Sequence, residues 1–277
     1  MSDQVIRVAH SPDPDDAFMF YALANGKIDT SDLDFSHTLQ DIETLNRKAF
    51  EGFYEVTAIS FHAYAYVADR YALMPAGASI GNRYGPLIVA AEPFDLRDLK
   101  NKIIAVPGTM TTAFLVLRMI EPEVRYQVVP FDGILEEVTA RRVDAGLIIH
   151  EGQLTYGAGG LHKIIDLGEW WYQQTQLPLP LGGNGIRKDL GREASQRISQ
   201  LIRQSIEYGL AHRDEALRYA LQYARGMDTS LADRFVGMYV NEFTLDYGPR
   251  GRAGLQALYD WSHRKGLIPH TVPLDFL

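Results

Sequence analysis

A chain of 277 residues, 46% of them hydrophobic and 22% charged, can bury a substantial core and has room for two lobes. Its formal charge of −8, with scattered lysines and arginines, argues against nucleic acid as a partner, and the lack of any cysteine rules out disulfides, thiolate metal sites and a cysteine nucleophile. No run approaches the roughly twenty consecutive apolar residues of a membrane span, and Met1-Ser2-Asp3-Gln4 leads into apolar residues without a basic segment or cleavage site, so no membrane partner and a cytoplasmic location are expected.

Residues 5–9 read as a first strand, followed by His10-Ser11-Pro12-Asp13-Pro14-Asp15-Asp16 and a helix over about 14–24. Asp13 suits the N-cap, Pro14 the first helical position, Asp15 and Asp16 the positive end of the helix dipole, and Asn25-Gly26 the stop. Capping and the helix dipole are the plainer reading of at least two of these aspartates. If the turn also faces a ligand, three carboxylates would repel phosphate and suit hydroxyls. A metal held by His10, Asp13 and Asp16 is conceivable, but no spacing selects it.

Residues 33–39 form a second expected strand, and Asp41-Ile42-Glu43-Thr44 opens a helix ending near Glu51-Gly52. The short strand 56–60 ends in Ser60, ahead of an aromatic-rich helix over 61–67. Ser60 is either a ligand contact or simply the cap of that helix, and His62 reads as a packed or surface histidine. Strands over 71–74 and 86–91 follow, with Gly81, Gly85 and Pro86 between them allowing a sharp change of direction.

A second α/β unit starts with a strand over 102–106, the turn Val106-Pro107-Gly108, and a helix start rich in hydroxyls at Thr109, Thr111 and Thr112 before the apolar helix 113–120. Free N–H groups there would hold a carboxylate without a lysine, although capping by one threonine would explain part of the pattern; the spacing is not that of a Walker A loop. A strand over 125–131 and an amphipathic helix over 133–142 lead to Val143-Asp144-Ala145-Gly146-Leu147-Ile148-Ile149-His150-Glu151-Gly152. This apolar run suits a parallel strand covered on both faces, which would deliver His150 to a cleft beyond its carboxyl end; the plainer alternative is a histidine that caps the strand. Glu151 either orients His150 or faces solvent.

Beyond Tyr156 and a glycine-rich turn, a strand over 163–167 and Trp170-Trp171-Tyr172 precede Leu177-Pro178-Leu179-Pro180-Leu181-Gly182-Gly183. Its alternating prolines forbid a helix and remove donors from a central ladder, so this segment reads as a stiff return crossover. Helices over 192–210, 214–225, 230–243 and 251–265, broken at Gly226, Pro249 and Gly266, are expected to cover the first lobe. Ser11, Ser60, Thr109 to Thr112 and His150 thus follow separate strands, where a largely parallel sheet collects ligand groups. With crossovers near 90 and 181, the expected architecture is α/β with two lobes hinged over a cleft: a large lobe of 1–90 plus 182–277 and a small lobe of 91–181.

Several segments resemble the 1,4-dihydroxy-6-naphthoate synthases of the futalosine route to menaquinone: Ser11-Pro12, Asp41-Ile42-Glu43-Thr44-Leu45-Asn46, Gly85-Pro86-Leu87, Val106-Pro107-Gly108 with Thr111-Thr112-Ala113, Gly146-Leu147-Ile148-Ile149-His150-Glu151, Asp166-Leu167-Gly168 with Trp170-Trp171, and Leu177-Pro178-Leu179-Pro180-Leu181-Gly182. Each is weak alone; their order and spacing over nearly the whole chain are specific. The resemblance implies a fold like type II periplasmic binding proteins and a cofactor-independent carbon–carbon lyase that opens a small-molecule substrate, cyclic dehypoxanthine futalosine, to release dihydroxynaphthoate. It further implies His150 as the catalytic base and Ser60, Thr112 and Ala113 against the ligand, with no metal. Where the family often reads Ser-Pro-Cys-Pro-Asn-Asp-Thr-Phe, this chain has Ser11-Pro12-Asp13-Pro14-Asp15-Asp16-Ala17-Phe18, which leaves open a paralogue acting on a related molecule. Chorismate dehydratase shares the fold, but the Ile-Ile-His-Glu strand end fits the naphthoate synthases better. A non-catalytic receptor for a small carboxylate is the alternative of a different class. Oligomeric state stays open.

Overall fold

The computed structural model describes residues 5–224 and 227–277. Met1 to Gln4, the expected helix end at Arg225 and the break at Gly226 lie outside the described residues.

The chain begins with β1 (Ile6–His10), α1 (Pro14–Ala24), β2 (Phe35–Leu39), α2 (Ile42–Phe50), β3 (Val56–Ser60), α3 (Phe61–Tyr64), β4 (Tyr71–Leu73) and β5 (Ser79–Gly81). It then crosses over to β6 (Leu87–Ala90), β7 (Ile103–Val106), α4 (Thr112–Ile120), β8 (Arg125–Val128), α5 (Ile134–Thr139), β9 (Ala145–Ile148), α6 (Gly152–Thr155), β10 (His162–Asp166) and α7 (Leu167–Thr175). It returns through β11 (Leu179–Arg187) to the helices α8 (Arg192–Ala211), α9 (Arg213–Ala220), α10 (Thr229–Tyr239), α11 (Glu242–Leu245) and α12 (Gly248–Arg264).

Two sheets result, one per lobe. The first has the order β2-β1-β3-β11-β4, with β5 also on β11; the second has the order β10-β6-β9-β7-β8. β1 runs parallel to β2 and β3, and β7 runs parallel to β8 and β9, so the carboxyl ends of β1 and β3 lie together in one sheet and those of β7 and β9 in the other. Local chemistry sets the element ends. Pro14 starts α1 where no N–H is needed, Asp41 accepts the Thr44 N–H at 3.0 Å to cap α2, and Thr111 accepts the Phe114 N–H at 3.2 Å to cap α4. Helix α1 is buried on nearly every side because β2 lies against it while α8, α9 and α10 pack around it. In the second lobe, a Cβ at Gly146 would lie 2.4 Å from Ile134 and 2.8 Å from Val138; glycine is what lets α5 settle on β9.

Several expectations differ, among them the single helix over 230–243, which is broken after Tyr239 into α10 and α11. The helix over 61–67 is only the single turn α3. The three-residue β5 carried no pattern long enough to detect. The largest difference is residues 177–183, which do not form a simple crossover: from Leu179 the chain is already β11, a central strand between β3 and β4. Pro180 is tolerated there because the ladder with β5 shifts register between Pro180 and Gly182, which absorbs the missing donor. Likewise β6 pairs inside the second sheet, placing the outgoing change of direction before Leu87.

Candidate active site

The four strand ends face a cleft between the sheets with about 730 Å³ of empty space, partly open to solvent. One wall is the turn after β1. The Ser11 N–H donates to Asp16 Oδ2 at 2.8 Å, and the Ser11 hydroxyl donates to Asp13 Oδ2 at 2.9 Å, so Ser11 and the two carboxylates brace one another. Asp13, Asp15 and Asp16 all line the cleft, and no lysine or arginine is among the described residues that do. Burial pushes the Asp15 carboxyl well above the usual carboxylate range, and its two acidic neighbours add to the shift. Burial also pushes Asp16 up to about 7, with Asp13 adding to the shift and the hydrogen bonds from Ser11 opposing it. Asp15 and Asp16 on this wall therefore give up their protons at higher pH than free carboxyls do. His10, stacked on Phe20 with ring centroids 4.5 Å apart, is pushed down to about 4 by burial, and its Nδ1 lies 2.9 Å from the Ser11 carbonyl. Among the described residues no three metal-ligating side chains are grouped to hold an ion, so the conceivable His10, Asp13 and Asp16 site is not assembled.

The opposite wall is the start of α4. Thr111, Thr112 and Ala113 line it, and the first amides of α4 have no intrahelical acceptor. A helix dipole favours an anion here, and unlike the start of α1 this helix start carries no carboxylate of its own. The threonines divide their work. Thr111 is the cap; Thr112 donates its hydroxyl to the Leu181 carbonyl at 2.5 Å and accepts the His62 N–H at 3.2 Å, tying α4 to the first lobe. Thr109 is not among the residues that line the cleft, and its hydroxyl accepts from Arg47 at 2.9 Å. Ser60 does line the cleft but does not cap α3; its hydroxyl and N–H engage the wholly buried Asn46 amide at 3.0 and 2.9 Å. Further contacts run from α2 to the threonine loop. Glu43 accepts the Met110 N–H at 2.9 Å, and a Cβ at Gly108 would collide with that carboxylate at 2.3 Å.

His150 stands just beyond β9, buried, with Ile149 before it lining the cleft. Its ring does not line the cleft. Nδ1 accepts the Gly152 N–H at 3.0 Å, which places the ring proton on Nε2, 3.0 Å from the Phe131 carbonyl. Glu151 is buried beside it, with Oε2 3.6 Å from Nδ1, and does not face solvent. The structure also brings in residues that strand-end reasoning did not pick out: Asn46 from α2, Asn184 from β11, and Phe235 and Tyr239 from α10. Only Asn46 left a trace in the sequence, as a polar residue on the apolar face of an amphipathic helix.

A cleft between two α/β lobes, entered by the carboxyl ends of strands from both, defines a protein of the type II periplasmic-binding-protein-like fold. Solved structures agree: the alkanesulfonate-binding protein SsuA from Xanthomonas axonopodis pv. citri has a TM-score of 0.71 at 12% identity, over 97% of this chain and 95% of that one. The crystal structure of protein AF1704 from Archaeoglobus fulgidus has a TM-score of 0.92 at 49% identity, covering 96% and 99%. The family model described as menaquinone biosynthesis matches residues 6–264. Curated relatives named 1,4-dihydroxy-6-naphthoate synthase are 40% identical in Thermus thermophilus, over 98% of this chain and 99% of the relative, and 36% identical in Streptomyces coelicolor, over 99% and 98%. The chain belongs to this family of menaquinone biosynthesis. Among the described residues no helix is long and apolar enough to cross a membrane.

Proposed function

We propose that this protein is itself a 1,4-dihydroxy-6-naphthoate synthase, a lyase that opens cyclic dehypoxanthine futalosine and releases the aromatic carboxylate. The observation that carries the reading is the pairing of walls: on one side the first amides of α4, of which Thr111 caps only that of Phe114, and on the other a carboxyl cluster in which burial pushes Asp15 and Asp16 upward. Such a cleft accepts a ligand with one carboxylate and several hydroxyls, and it does so without a cation. Ser60 and the amides of Thr112 and Ala113 contact the ligand; the carboxylate that survives into the product sits at the helix start.

His150 is the base. His150 takes the proton of a hydroxyl beside the breaking carbon–carbon bond; that oxygen becomes the carbonyl of the released fragment, and the electrons of the broken bond stay with the ring, which becomes aromatic. For this, Nδ1 must exchange the Gly152 N–H for the substrate, a small turn of the ring toward the cleft that Ile149 already borders. Closed lobes exclude water from the reaction.

One observation favours a receptor instead: the His150 ring is bonded within its own lobe and not presented to the cleft. Incubation of the purified protein with cyclic dehypoxanthine futalosine decides between them. Formation of dihydroxynaphthoate, abolished or slowed about a hundred- to ten-thousand-fold in His150→Asn with binding retained, is the expected result. Tight binding without product would establish the receptor.

A further inference from the structure

A hydrogen bond between Tyr239 and Gln153 also ties the two lobes. Tyr239 ends α10 in the first lobe, is 3% exposed, and lines the main cleft. Its hydroxyl donates to Oε1 of Gln153 at 2.8 Å. Gln153 belongs to the other lobe, on the single turn α6 that follows His150, and is 5% exposed. Its backbone N–H returns to the His150 carbonyl at 3.0 Å, and the preceding amide, Gly152, donates to the His150 ring. The Gln153 amide nitrogen has no hydrogen-bond partner among the described residues, so the Tyr239 hydroxyl is what fixes that side chain. Tyr239 itself is firmly held. Its ring meets Phe235 and Tyr84 edge-on at 5.4 and 6.1 Å, and its carbonyl accepts the Thr244 hydroxyl at 2.9 Å.

We propose that Tyr239 and Gln153 form an interlobe latch that holds in place the turn carrying His150, so that the ring can swing to the cleft from a fixed footing only while the lobes are closed. This rests on the reading of His150 as base. Tyr239 is rigid on its lobe, whereas Gln153 sits on a one-turn helix, so force passes from α10 through the hydroxyl to the turn, and opening the cleft must break this bond before the turn can relax. Tyr239 and Gln153 are therefore positioning residues. A direct ligand contact predicts something else: Gln153 does not line the main cleft, so only Tyr239 would then affect the substrate.

Tyr239→Phe keeps the ring and removes only the hydroxyl, and Gln153→Met keeps the length of the chain. Each is expected to lower kcat about tenfold while leaving KM within about twofold, and the double variant should be no slower than the slower single one, because both remove one bond. Hydrogen exchange across 146–156, measured without substrate, should quicken in Tyr239→Phe. Unchanged kcat, unchanged exchange, or losses that multiply in the double variant would each overturn the latch. The two readings can fail separately. Normal turnover in His150→Asn ends the base assignment, whereas a slow His150→Asn beside a normal Tyr239→Phe ends the latch alone.

Discussion

The strands β1 and β3 carry buried carboxylates at both ends, and the two ends are built in opposite ways. At the amino end, Glu55 is bonded by the Arg7 N–H at 3.0 Å, by the Arg7 guanidinium at 2.8 and 2.6 Å, and by Arg187 at 3.1 Å. At the carboxyl end, Asp13, Asp15 and Asp16 crowd the cleft with no cation among the described residues lining it. A buried carboxylate matched by two guanidiniums remains charged and fastens three strands together; a carboxylate sunk among others without one holds its proton to higher pH. The same residue chemistry is structural at one end of the sheet and faces the cleft at the other.

Removing the matched charge should have the largest effect. Glu55→Gln keeps the shape but leaves two guanidiniums facing an amide. The loss is discounted because the Arg7 side chain is 40% exposed and can turn to water. A cost of about 2 to 3 kcal/mol in urea unfolding is expected, with turnover of the folded enzyme unchanged. A stability within error of the parent would mean that this end is no better matched than the other.

The unmatched end should respond with the opposite sign. Asp15 has its folded-state pKa raised above the unfolded value by burial, so below about pH 4 both states carry the proton and the group costs nothing. As the pH climbs, the unfolded chain releases that proton while the folded chain retains it, and stability falls until the folded value is passed. Asp15→Asn cannot ionise. It should therefore melt higher than the parent at pH 8, by about 1 kcal/mol, with the gap closing toward pH 4. Equal melting at pH 8 would show that Asp15 has a partner as good as those of Glu55.

Thr112→Val tests the tie between walls. The hydroxyl is committed to Leu181 and His62, so its loss should cost about 1 kcal/mol of stability while affinity for dihydroxynaphthoate, which the proposed function assigns to the amides of α4, shifts less than about twofold. A large loss of affinity with normal stability would return the hydroxyl to the ligand.

How much of this was legible in the sequence follows from what each feature depends on. His150 and Ser60 were visible because strand ends are local: an apolar run of four or five residues and a polar one after it. The threonine turn was legible as a group, but which threonine caps and which crosses the cleft depends on Leu181, about seventy residues away. Tyr239 was hidden in an amphipathic helix whose apolar face looked like ordinary cover, and only the packing of α10 against α1 brings it to the cleft. The strand β11 was concealed by its prolines, because tolerance of Pro180 depends on a register shift with β5 that no single segment contains. The orientation of the His150 ring depends on the Phe131 carbonyl at the end of another loop.

The smallest effect is the one that most directly compares the two ends. Asp16 is pushed up to about 7 by burial, so the cleft gains negative charge as the pH passes that value, whereas nothing at the Glu55 end changes there. A raised acid is neutral below its folded value, so an anionic ligand at the start of α4 meets least repulsion in mildly acid solution. Its affinity should fall as the pH rises from 6 to 8, by about two- to threefold, because water and salt in a partly open cleft screen the added charge. In Asp16→Asn the slope should vanish, while the Asn oxygen still accepts the Ser11 N–H and preserves the turn. The measurement is calorimetric titration of the naphthoate product at several pH values and constant ionic strength. A slope that persists in Asp16→Asn would move the titrating group to Asp15 or to a histidine, and a flat profile in the parent would place the anion out of reach of the carboxyl wall.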